Sequence, residues 1–131
     1  MAFTWEAAAQ QLEERRQRAL GMGGPAKIER QHKQGKLTAR ERIDRFVDSG
    51  TFKEIGTLAL YERPKGDGSG MEVTPSSFIS GLAKVGGRSV AMGVNDYTVS
   101  GGTTTIYLAR LKGELGGFTD DLAYEYKIPL I

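Results

Sequence analysis

The sequence predicts an α/β fold in which helices come first, followed by strands, a further helix and the start of another strand. The clearest sign is a hairpin. Residues 78–85 are an apolar run with β-branched and aromatic members, and the glycines at 86–87 follow as a two-residue turn. Residues 88–99 begin with the alternation of a half-buried strand. The strand ends at the serine and glycines of residues 100–102, ahead of a helical pattern.

The turn at residues 100–102 is also the first candidate for a function. Paired glycines between a strand and a helix let a ligand approach backbone N–H groups closely. Thr103 and the two threonines after it supply hydroxyl groups where a helix would begin. The same glycines also suit any ordinary strand-to-helix turn, so the residues alone leave both interpretations open.

Length and composition limit the class of protein. The chain has 131 residues, 39% of them hydrophobic and 26% charged, which is typical of one small globular domain. Cysteine is absent, so disulfides and thiolate metal sites are excluded. No apolar run approaches the roughly 20 residues of a transmembrane helix, and the N-terminus lacks the apolar core of a secretory signal. We therefore expect a soluble protein of a reducing compartment such as the cytoplasm, without a membrane partner.

The formal net charge of +2 is unevenly distributed. Residues 15–45 hold ten lysines and arginines and only three acidic residues. Such a basic segment is either the solvated face of a helix or a surface that attracts phosphate, in a nucleic acid or in a nucleotide-like cofactor. The segment has no interleaved aromatic side chain before Phe46, and the chain carries no zinc or RNA-recognition signature. We therefore expect no nucleic-acid partner.

Three helices are predicted in the first part of the chain. The first covers residues 4–20, with Thr4 as its N-cap and Gly21 as its stop. Its apolar face is thin, which indicates that it lies on a larger body or on a partner. Residues 21–25 are interpreted as a linker, because they lack the spacing of a phosphate loop. The second helix covers residues 26–34.

The third helix has the strongest local signal. Thr38 followed by Glu41 is a capping box, in which each side chain bonds the backbone N–H of the other residue. An apolar stripe follows at helical spacing, formed by Ile43, Phe46 and Val47. The pattern predicts a helix over residues 39–48, with Gly50 at its C-cap.

The rest of the chain supplies strands and a last helix. Residues 51–61 predict one strand, with Gly56 as a candidate bulge, and residues 62–75 predict an exposed loop rich in glycine and proline. A helix over residues 104–126 is predicted from an apolar stripe formed by Leu108, Leu111, Leu115, Phe118 and Leu122. Residues 128–131 indicate the opening of another strand with no visible partner, so we expect the chain to dock on more protein.

A search for catalytic side chains finds little. His32 is the only histidine, and it lies in the basic segment, where a surface histidine is favoured over a member of a catalytic triad. Asp120, Asp121 and Glu125 cluster on the last helix, where a solvated face is favoured over a cation site. We therefore predict no catalytic residue and no metal site.

Two blocks of sequence nevertheless carry a family resemblance. The first is GKLTARERI at residues 35–43, preceded by a basic helix and followed by GTFKEIG at residues 50–56. The second is a Gly-Arg strand at residues 87–88 followed by DYTVSGG at residues 96–102. In this order and at this separation the blocks resemble the start of the biotin-dependent acyl-CoA carboxyltransferases, the β subunits of propionyl-CoA and methylcrotonyl-CoA carboxylases.

The resemblance implies a crotonase-like fold of ββα repeats and the transfer of a carboxyl group from carboxybiotin to an acyl-CoA. It covers essentially the whole chain but only about the first quarter of a family member. It implies a basic helical segment over residues 1–50 and the beginning of the carboxyltransferase domain over residues 51–131. The family's oxyanion-hole segments, SGGARI and AGGA, do not occur in this sequence. The chain alone is therefore expected to be inactive.

The resemblance also implies cofactors, partners and site residues. Biotin would arrive on a separate carrier, since no biotin-attachment sequence is present. The implied partners are an acyl-CoA, biotin carboxylase and carrier subunits, and further carboxyltransferase subunits in a hexamer-type homo-oligomer. Gly101, Gly102 and Thr103 would line the site at the carboxyl end of a strand. Lys36, Arg40 and also Arg42 would face the phosphates of CoA, or would pair with acidic residues of another subunit.

Two other interpretations remain open from the sequence. One is a fragment of a CoA-dependent decarboxylase, whose carboxyltransferase subunit shares these motifs. The other is a docking module that has kept the opening of the family but lost its chemistry. The residues that would line an acyl pocket are not in this sequence, so the acyl group is not predicted.

Overall fold

The structure, a computed structural model, describes residues 4–103 and 113–131. Four α-helices are described: α1 (Trp5–Leu20), α2 (Pro25–Lys33), α3 (Ala39–Phe46) and α4 (Gly113–Tyr126). Five strands are described: β1 (Lys53–Ile55), β2 (Leu60–Pro64), β3 (Met71–Pro75), β4 (Phe78–Val85) and β5 (Arg88–Asn95). A 3-10 turn, Ser100–Gly102, follows β5. The order of elements is that of the α/β fold predicted from the sequence.

The strands form two antiparallel sheets. The larger has the order β1-β4-β5, and the smaller pairs β2 with β3. The predicted central hairpin is confirmed, since β4 and β5 pair along their full length around the turn at Gly86 and Gly87. Both glycines have positive φ angles, +57° and +78°, which favour glycine in a two-residue hairpin turn. β5 ends at Asn95 rather than continuing to residue 99.

The hydrophobic core lies between α3 and the larger sheet. Ile43 and Val47 from the helical side pack with four sheet residues, which are Ile79, Ala83, Val90 and Met92. α3 therefore shares its core with the sheet. The predicted division into residues 1–50 and 51–131 stays a prediction.

The three N-terminal helices are confirmed, with corrections at their ends. The Thr4 side chain accepts from the Ala7 N–H at 3.2 Å and caps α1. The apolar side of α1 is mostly uncovered: Trp5 is 80% exposed, and Ala19 is the buried residue of this helix. The second helix begins at Pro25, which suits the first helical position because proline lacks the N–H that would have no partner there.

The capping box of α3 is confirmed. The Glu41 N–H donates to Thr38 Oγ1 at 3.3 Å, and the Thr38 N–H donates to Glu41 Oε2 at 2.7 Å. The predicted end at residue 48 is wrong, because Val47 already has an extended backbone. Phe46 is 49% exposed, so only part of the predicted stripe is buried. Gly50, with φ of +72°, belongs to the turn after the helix and is not its C-cap.

The single strand predicted over residues 51–61 is wrong. The chain forms β1, turns at Gly56 with φ of +75°, and then enters β2 in the other sheet. Gly56 is therefore a turn residue rather than a bulge. The predicted loop over residues 62–75 is also wrong, because most of it pairs as the β2–β3 hairpin. The glycines lie at the tip of this hairpin, between the two strands. The residues on either side of the tip pair with each other through backbone hydrogen bonds.

The C-terminal residues complete the order of strand, strand, helix, strand. Residues 128–131 are extended beside β5, with the N–H of Ala91 donating to Pro129 O and the N–H of Ile131 donating to Ala91 O, each at 2.9 Å. The bridge between Ala91 and Leu130 is parallel. The expectation that this segment has no partner is therefore wrong, since β5 is its partner.

The last helix is described from Gly113 to Tyr126. Its predicted start at residue 104, with Leu108 and Leu111, lies outside the described residues, as do the side chains of Leu115 and Phe118. Ala123 of α4 is buried, and this helix packs against β4 and β5. Within residues 4–103 and 113–131, no helix combines the length and apolarity needed to cross a membrane.

Candidate functional site

The candidate site is built on the segment after β5, residues 96–103, which we call the post-β5 turn. The Asp96 N–H donates to Ser77 O at 2.6 Å, where β5 ends. The Gly102 N–H donates to Val99 O at 2.9 Å and the Thr103 N–H donates to Ser100 O at 3.2 Å. These bonds close two successive tight turns and fix the backbone beyond the strand.

The carboxylate of Asp96 holds the turn from inside. Its side chain is 1% exposed. Oδ1 accepts the backbone N–H of Thr98 at 2.9 Å and the Thr98 hydroxyl at 2.6 Å. This is an Asx-type turn, in which a short acidic side chain bonds the backbone two residues ahead. A buried carboxylate satisfied in this way is a structural group rather than an accessible base.

The N-terminal segment is fastened to the same turn. The Gly23 N–H donates to Thr98 Oγ1 at 3.0 Å. A Cβ added at Gly23 would lie 2.0 Å from the carbonyl oxygen of Thr98, so the backbones approach as closely as glycine allows. The predicted linker at residues 21–25 therefore has a packing role, because it places α2 beside the post-β5 turn.

Two further bonds hold the outer side of the turn. The Ser77 hydroxyl donates to Thr103 O at 2.9 Å, and Ser77 is fully buried. Arg63 Nη1 donates to the Ser100 hydroxyl at 3.2 Å, while Arg63 Nε pairs with Glu72 at 2.6 Å. The β2–β3 hairpin is thereby connected to the turn.

The backbone of the turn is left-handed at three successive residues. The φ angles are +49° at Ser100, +64° at Gly101 and +76° at Gly102. A Cβ at Gly102 would lie 3.6 Å from the Cβ of Asn95, so space is available, but a side chain there would strain the backbone. The glycine pair predicted from the sequence is therefore required by conformation.

A small cleft separates the post-β5 turn from α2; we call it the α2 cleft. Its volume is about 210 Å³, and it is lined by Lys27, Arg30, Gln31, Gln34, Tyr97, Thr98, Ser100 and Gly101. Lys27, Arg30 and Gln31 of α2 and Gln34 at its C-cap lie at positions i, i+3, i+4 and i+7, so they share one face. Of the predicted site residues, Gly101 lies in this cleft.

The predicted cations lie elsewhere. Both terminal nitrogens of Arg40 donate to the Glu54 carboxylate, at 2.7 and 3.2 Å, and the two side chains are only 20% and 11% exposed. Arg40 Nε is buried and has no hydrogen-bond partner among the described residues. Lys36 is exposed and its Nζ donates to Gln34 Oε1 at 3.2 Å, which places it near the rim of the α2 cleft.

Arg42 lines a second, wider groove. This groove has a volume of about 650 Å³ and is lined by Leu37, Arg42, Ile43, Arg45, Phe46, Met92, Gly93, Val94, Asn95 and Ile131. It lies between α3 and the edge of the sheet at the C-terminal segment. The structure therefore separates Arg42 from Gly101, which lies in the α2 cleft.

His32 is a surface residue with a defined partner. Its Nε2 lies 3.0 and 2.9 Å from the two carboxylate oxygens of Glu41, and both side chains are close to half exposed. The hydrogen bond from His32, reinforced by that from the Thr38 backbone, lowers the pKa of Glu41 from 4.5 to about 2. This contact joins α2 to α3.

The structure also brings to the candidate site residues that the sequence did not single out. Lys27 and Arg30 lie on the cleft face of α2, and Gly23 fixes that helix to the turn. The spacing of Lys27, Arg30, Gln31 and Gln34 on one helix face was a signal available in the sequence. The partner of that face was not, since it depends on a contact between residues 75 positions apart.

Comparison with known proteins gives a consistent result. The family model described as "Carboxyl transferase domain" matches residues 30–114. The carboxyltransferase subunit of propionyl-CoA carboxylase from Haloferax mediterranei is 41% identical over 104 residues, which is 77% of this chain and 20% of that protein. The propionyl-CoA carboxylase beta chain of Cereibacter sphaeroides is 38% identical over 103 residues, which is 72% of this chain and 18% of that protein.

A solved structure matches almost the whole chain. The crystal structure of transcarboxylase 12S, described with a hexamer assembly and with methylmalonyl-coenzyme A and methylmalonic acid bound, superimposes with a TM-score of 0.79 at 29% identity. The match covers 99% of this chain and 25% of that one. The chain thus spans about a fifth of the length of the curated relatives it matches.

Proposed function

This chain belongs to the family of carboxyl transferase domains and has its crotonase-like α/β fold, and on that premise we propose that it is the N-terminal portion of the carboxyltransferase subunit of a biotin-dependent acyl-CoA carboxylase. In this proposal it contributes to binding an acyl-CoA that receives a carboxyl group from carboxybiotin. Biotin arrives on a separate carrier protein. The chain contributes no catalytic residue of its own.

The post-β5 turn is the observation that supports this role best. It lies at the carboxyl end of β5, where the chain leaves the sheet. Gly101 and Gly102 leave its backbone free of side chains, so that a ligand can approach closely. Thr103 follows them directly. These three residues remain our candidates for lining the acyl-CoA site.

The cations divide into two groups in this proposal. Lys36 lies near the rim of the α2 cleft, and we retain it as a residue that faces the phosphates of CoA. The sequence predicts the same role for Arg40. Its terminal nitrogens are engaged by Glu54, so in the proposal it holds β1 against α3 and reaches an anion only if that pair opens.

The proposal places the remaining chemistry on other protein segments. The enolate formed at the acyl thioester needs preorganised N–H donors, and these are the SGGARI-type and AGGA-type loops that this sequence lacks. Biotin carboxylase and the biotin carrier supply carboxybiotin. Further carboxyltransferase subunits complete an oligomer, as in the hexamer described for transcarboxylase 12S. We place the complex in the cytoplasm, or in the mitochondrial matrix of a eukaryote.

The experiment is a calorimetric titration of the 131-residue chain with propionyl-CoA and acetyl-CoA. We expect binding by the native chain and weaker binding by Gly102→Ala. The control is Gly50→Ala, because Gly50 has nearly the same φ angle, +72° against +76°, and a Cβ there meets nothing within 4 Å. Both variants carry the same backbone strain, but only one of them lies in the proposed site.

The outcomes separate this proposal from its alternatives. Carboxylation of the acyl-CoA after addition of biotin carboxylase, carrier and the remaining carboxyltransferase segments supports the proposal. Sodium-dependent decarboxylation with a membrane partner supports a decarboxylase subunit instead. Stable binding to a carboxyltransferase oligomer without any affinity for CoA esters supports a docking module and contradicts our proposal.

A further inference from the structure

We propose that the α2 cleft is a subsite for a phosphoryl group carried on a purine nucleotide, in which Lys27 and Arg30 hold the phosphoryl anion and Tyr97 stacks on the purine ring. This inference rests on the proposed function, because the nucleotide end of a CoA thioester is a ligand of this class. It adds two cations of α2, Lys27 and Arg30, to Lys36, which the proposed function retains at the rim of the cleft.

The charge of the cleft is the first argument. Lys27 and Arg30 line it, and neither forms an ion pair with any residue in the described part of the chain. Among the described residues, no acidic side chain lines the cleft. Two neighbouring unpaired cations on one helix face create a positive potential that an external anion relieves.

The nearby acidic residues are already occupied. Glu29 pairs with Lys33 at 2.8 Å on the exposed side of α2. Glu72 pairs with Arg63 at 2.6 Å. The carboxylate of Asp96 is turned inward and accepts both bonds of Thr98. None of these three groups neutralises the cleft.

The wall opposite α2 supplies a hydroxyl donor. Ser100 Oγ accepts from Arg63 at 3.2 Å, so its own O–H remains to donate. A hydroxyl oriented by a cation in this way suits an anionic oxygen. The left-handed backbone from Ser100 to Gly102 is fixed from inside by Asp96 and Thr98, so this wall is in place before a ligand binds.

Size and shape determine which part of a ligand the cleft accepts. Its volume of about 210 Å³ is below the roughly 300 Å³ at which pockets for whole ligands begin. It suits a phosphoryl group and not a complete nucleotide. Tyr97 is 65% exposed and lies in the same lining, so its ring offers a flat face for a base that extends outward.

The test is calorimetry with the 131-residue chain at two salt concentrations. The probes are adenosine 3′,5′-bisphosphate, CoA, dephospho-CoA and inorganic phosphate. We expect Lys27→Gln with Arg30→Gln to weaken binding of the bisphosphate at least about tenfold, which corresponds to about 1.4 kcal/mol. We expect the loss to shrink at high salt. Tyr97→Ala should weaken the bisphosphate about fivefold and leave inorganic phosphate unchanged.

The matched control is the double variant Arg16→Gln with Lys33→Gln. It removes the same two charges from surface pairs that lie outside the cleft lining, with Glu13 and Glu29. We expect its affinity for the bisphosphate to stay within about twofold of the native chain. Equal losses in the two double variants would show only a general charge effect, and they would overturn the subsite.

The remaining outcomes separate the subsite from the proposed function. Binding of CoA that depends on Gly102 but not on Lys27 and Arg30 overturns the subsite and leaves the proposed function intact. Binding of the bisphosphate that depends on Lys27 and Arg30, without affinity for acyl-CoA, supports the subsite and overturns the proposed function. Binding of inorganic phosphate as tight as the bisphosphate overturns the role of Tyr97. Comparison of CoA with dephospho-CoA shows whether the 3′-phosphate is the group that is held.

Discussion

The backbone N–H of Gly23 donates to the hydroxyl oxygen of Thr98 at 3.0 Å, although the two residues are 75 positions apart in the chain. Thr98 in turn donates its hydroxyl proton to Asp96, so the three residues form one chain of hydrogen bonds from the N-terminal helices to the end of β5. The position of α2 beside the post-β5 turn depends on this contact. The two walls of the α2 cleft, α2 and the post-β5 turn, are joined by this hydrogen bond.

The close approach at Gly23 predicts a sharp sensitivity to a methyl group. A Cβ there would lie 2.0 Å from the Thr98 carbonyl oxygen, which is backbone and cannot rotate away. We expect Gly23→Ala to lower the free energy of unfolding by about 2 kcal/mol, the usual range for overpacking. Urea unfolding followed by circular dichroism measures it.

Gly66→Ala is the control for this variant. A Cβ at Gly66 meets nothing within 4 Å, and its φ angle is not positive. We expect a change within about 0.5 kcal/mol, as for exposed surface positions. Equal stability of the two alanine variants would contradict the packing that we describe between Gly23 and Thr98.

The buried carboxylate of Asp96 predicts a difference between two substitutions. Asp96→Ala removes the acceptor of two hydrogen bonds and leaves the Thr98 N–H and hydroxyl without it. We expect a loss of about 3 kcal/mol in the free energy of unfolding, since bonds to a charged group contribute about 1.5–3 kcal/mol each. Asp96→Asn keeps one acceptor oxygen in place, and its loss should be about half as large. Thermal unfolding of both variants is the measurement. A larger loss of stability in Asp96→Asn than in Asp96→Ala would disprove the role of the acceptor oxygen.

The Arg40–Glu54 pair predicts a measurable coupling energy. The two side chains are mostly buried and bond through two N–H groups, so the loss of one partner leaves a charge in a poorly solvated place. We expect a double-mutant cycle of Arg40→Gln and Glu54→Gln to give about 2 kcal/mol of coupling in the free energy of unfolding. The same cycle on Glu29 and Lys33, an exposed pair on one helix, should give about 0.3–0.5 kcal/mol. Similar values in the two cycles would mean that burial adds nothing to the first pair.

The lowered pKa of Glu41 predicts a dependence of stability on acid. Its pKa falls from 4.5 to about 2 in the folded chain, because His32 and the Thr38 backbone bond the charged form. A carboxyl group with a depressed pKa stabilises the fold above its unfolded pKa, and this contribution is lost as the pH falls from about 4.5 to about 2. We expect native and Glu41→Gln chains to differ in urea midpoint at pH 6 and to converge near pH 2. His32→Gln should reduce the difference, while Glu29→Gln should leave the profile unchanged. A constant difference from pH 6 to pH 2 would rule out Glu41 as the group that titrates.

Local signals in the sequence predicted the helices and the central hairpin well. Thr38 and Glu41 are three residues apart, and their capping box follows from backbone geometry alone. The glycine pair at residues 101–102 was identified for the same reason, since a left-handed backbone favours glycine wherever it occurs. The loop prediction for residues 62–75 is wrong because the β2–β3 hairpin is stabilised by cross-strand bonds, such as Arg63 to Glu72, that composition does not reveal.

The sequence by itself determined the family of this chain and the elements that carry its motifs, because capping boxes, turns and apolar stripes are interactions over a few residues. Only the tertiary structure decided which of its many basic side chains lie beside the post-β5 turn. Arg40 forms an ion pair with Glu54. Lys27 and Arg30 instead line the cleft beside the turn, because the hydrogen bond from Gly23 to Thr98 fixes the position of α2. A basic residue carries the same charge wherever it lies. Its partner is set by contacts between distant segments, and those contacts depend on the packing of the whole fold.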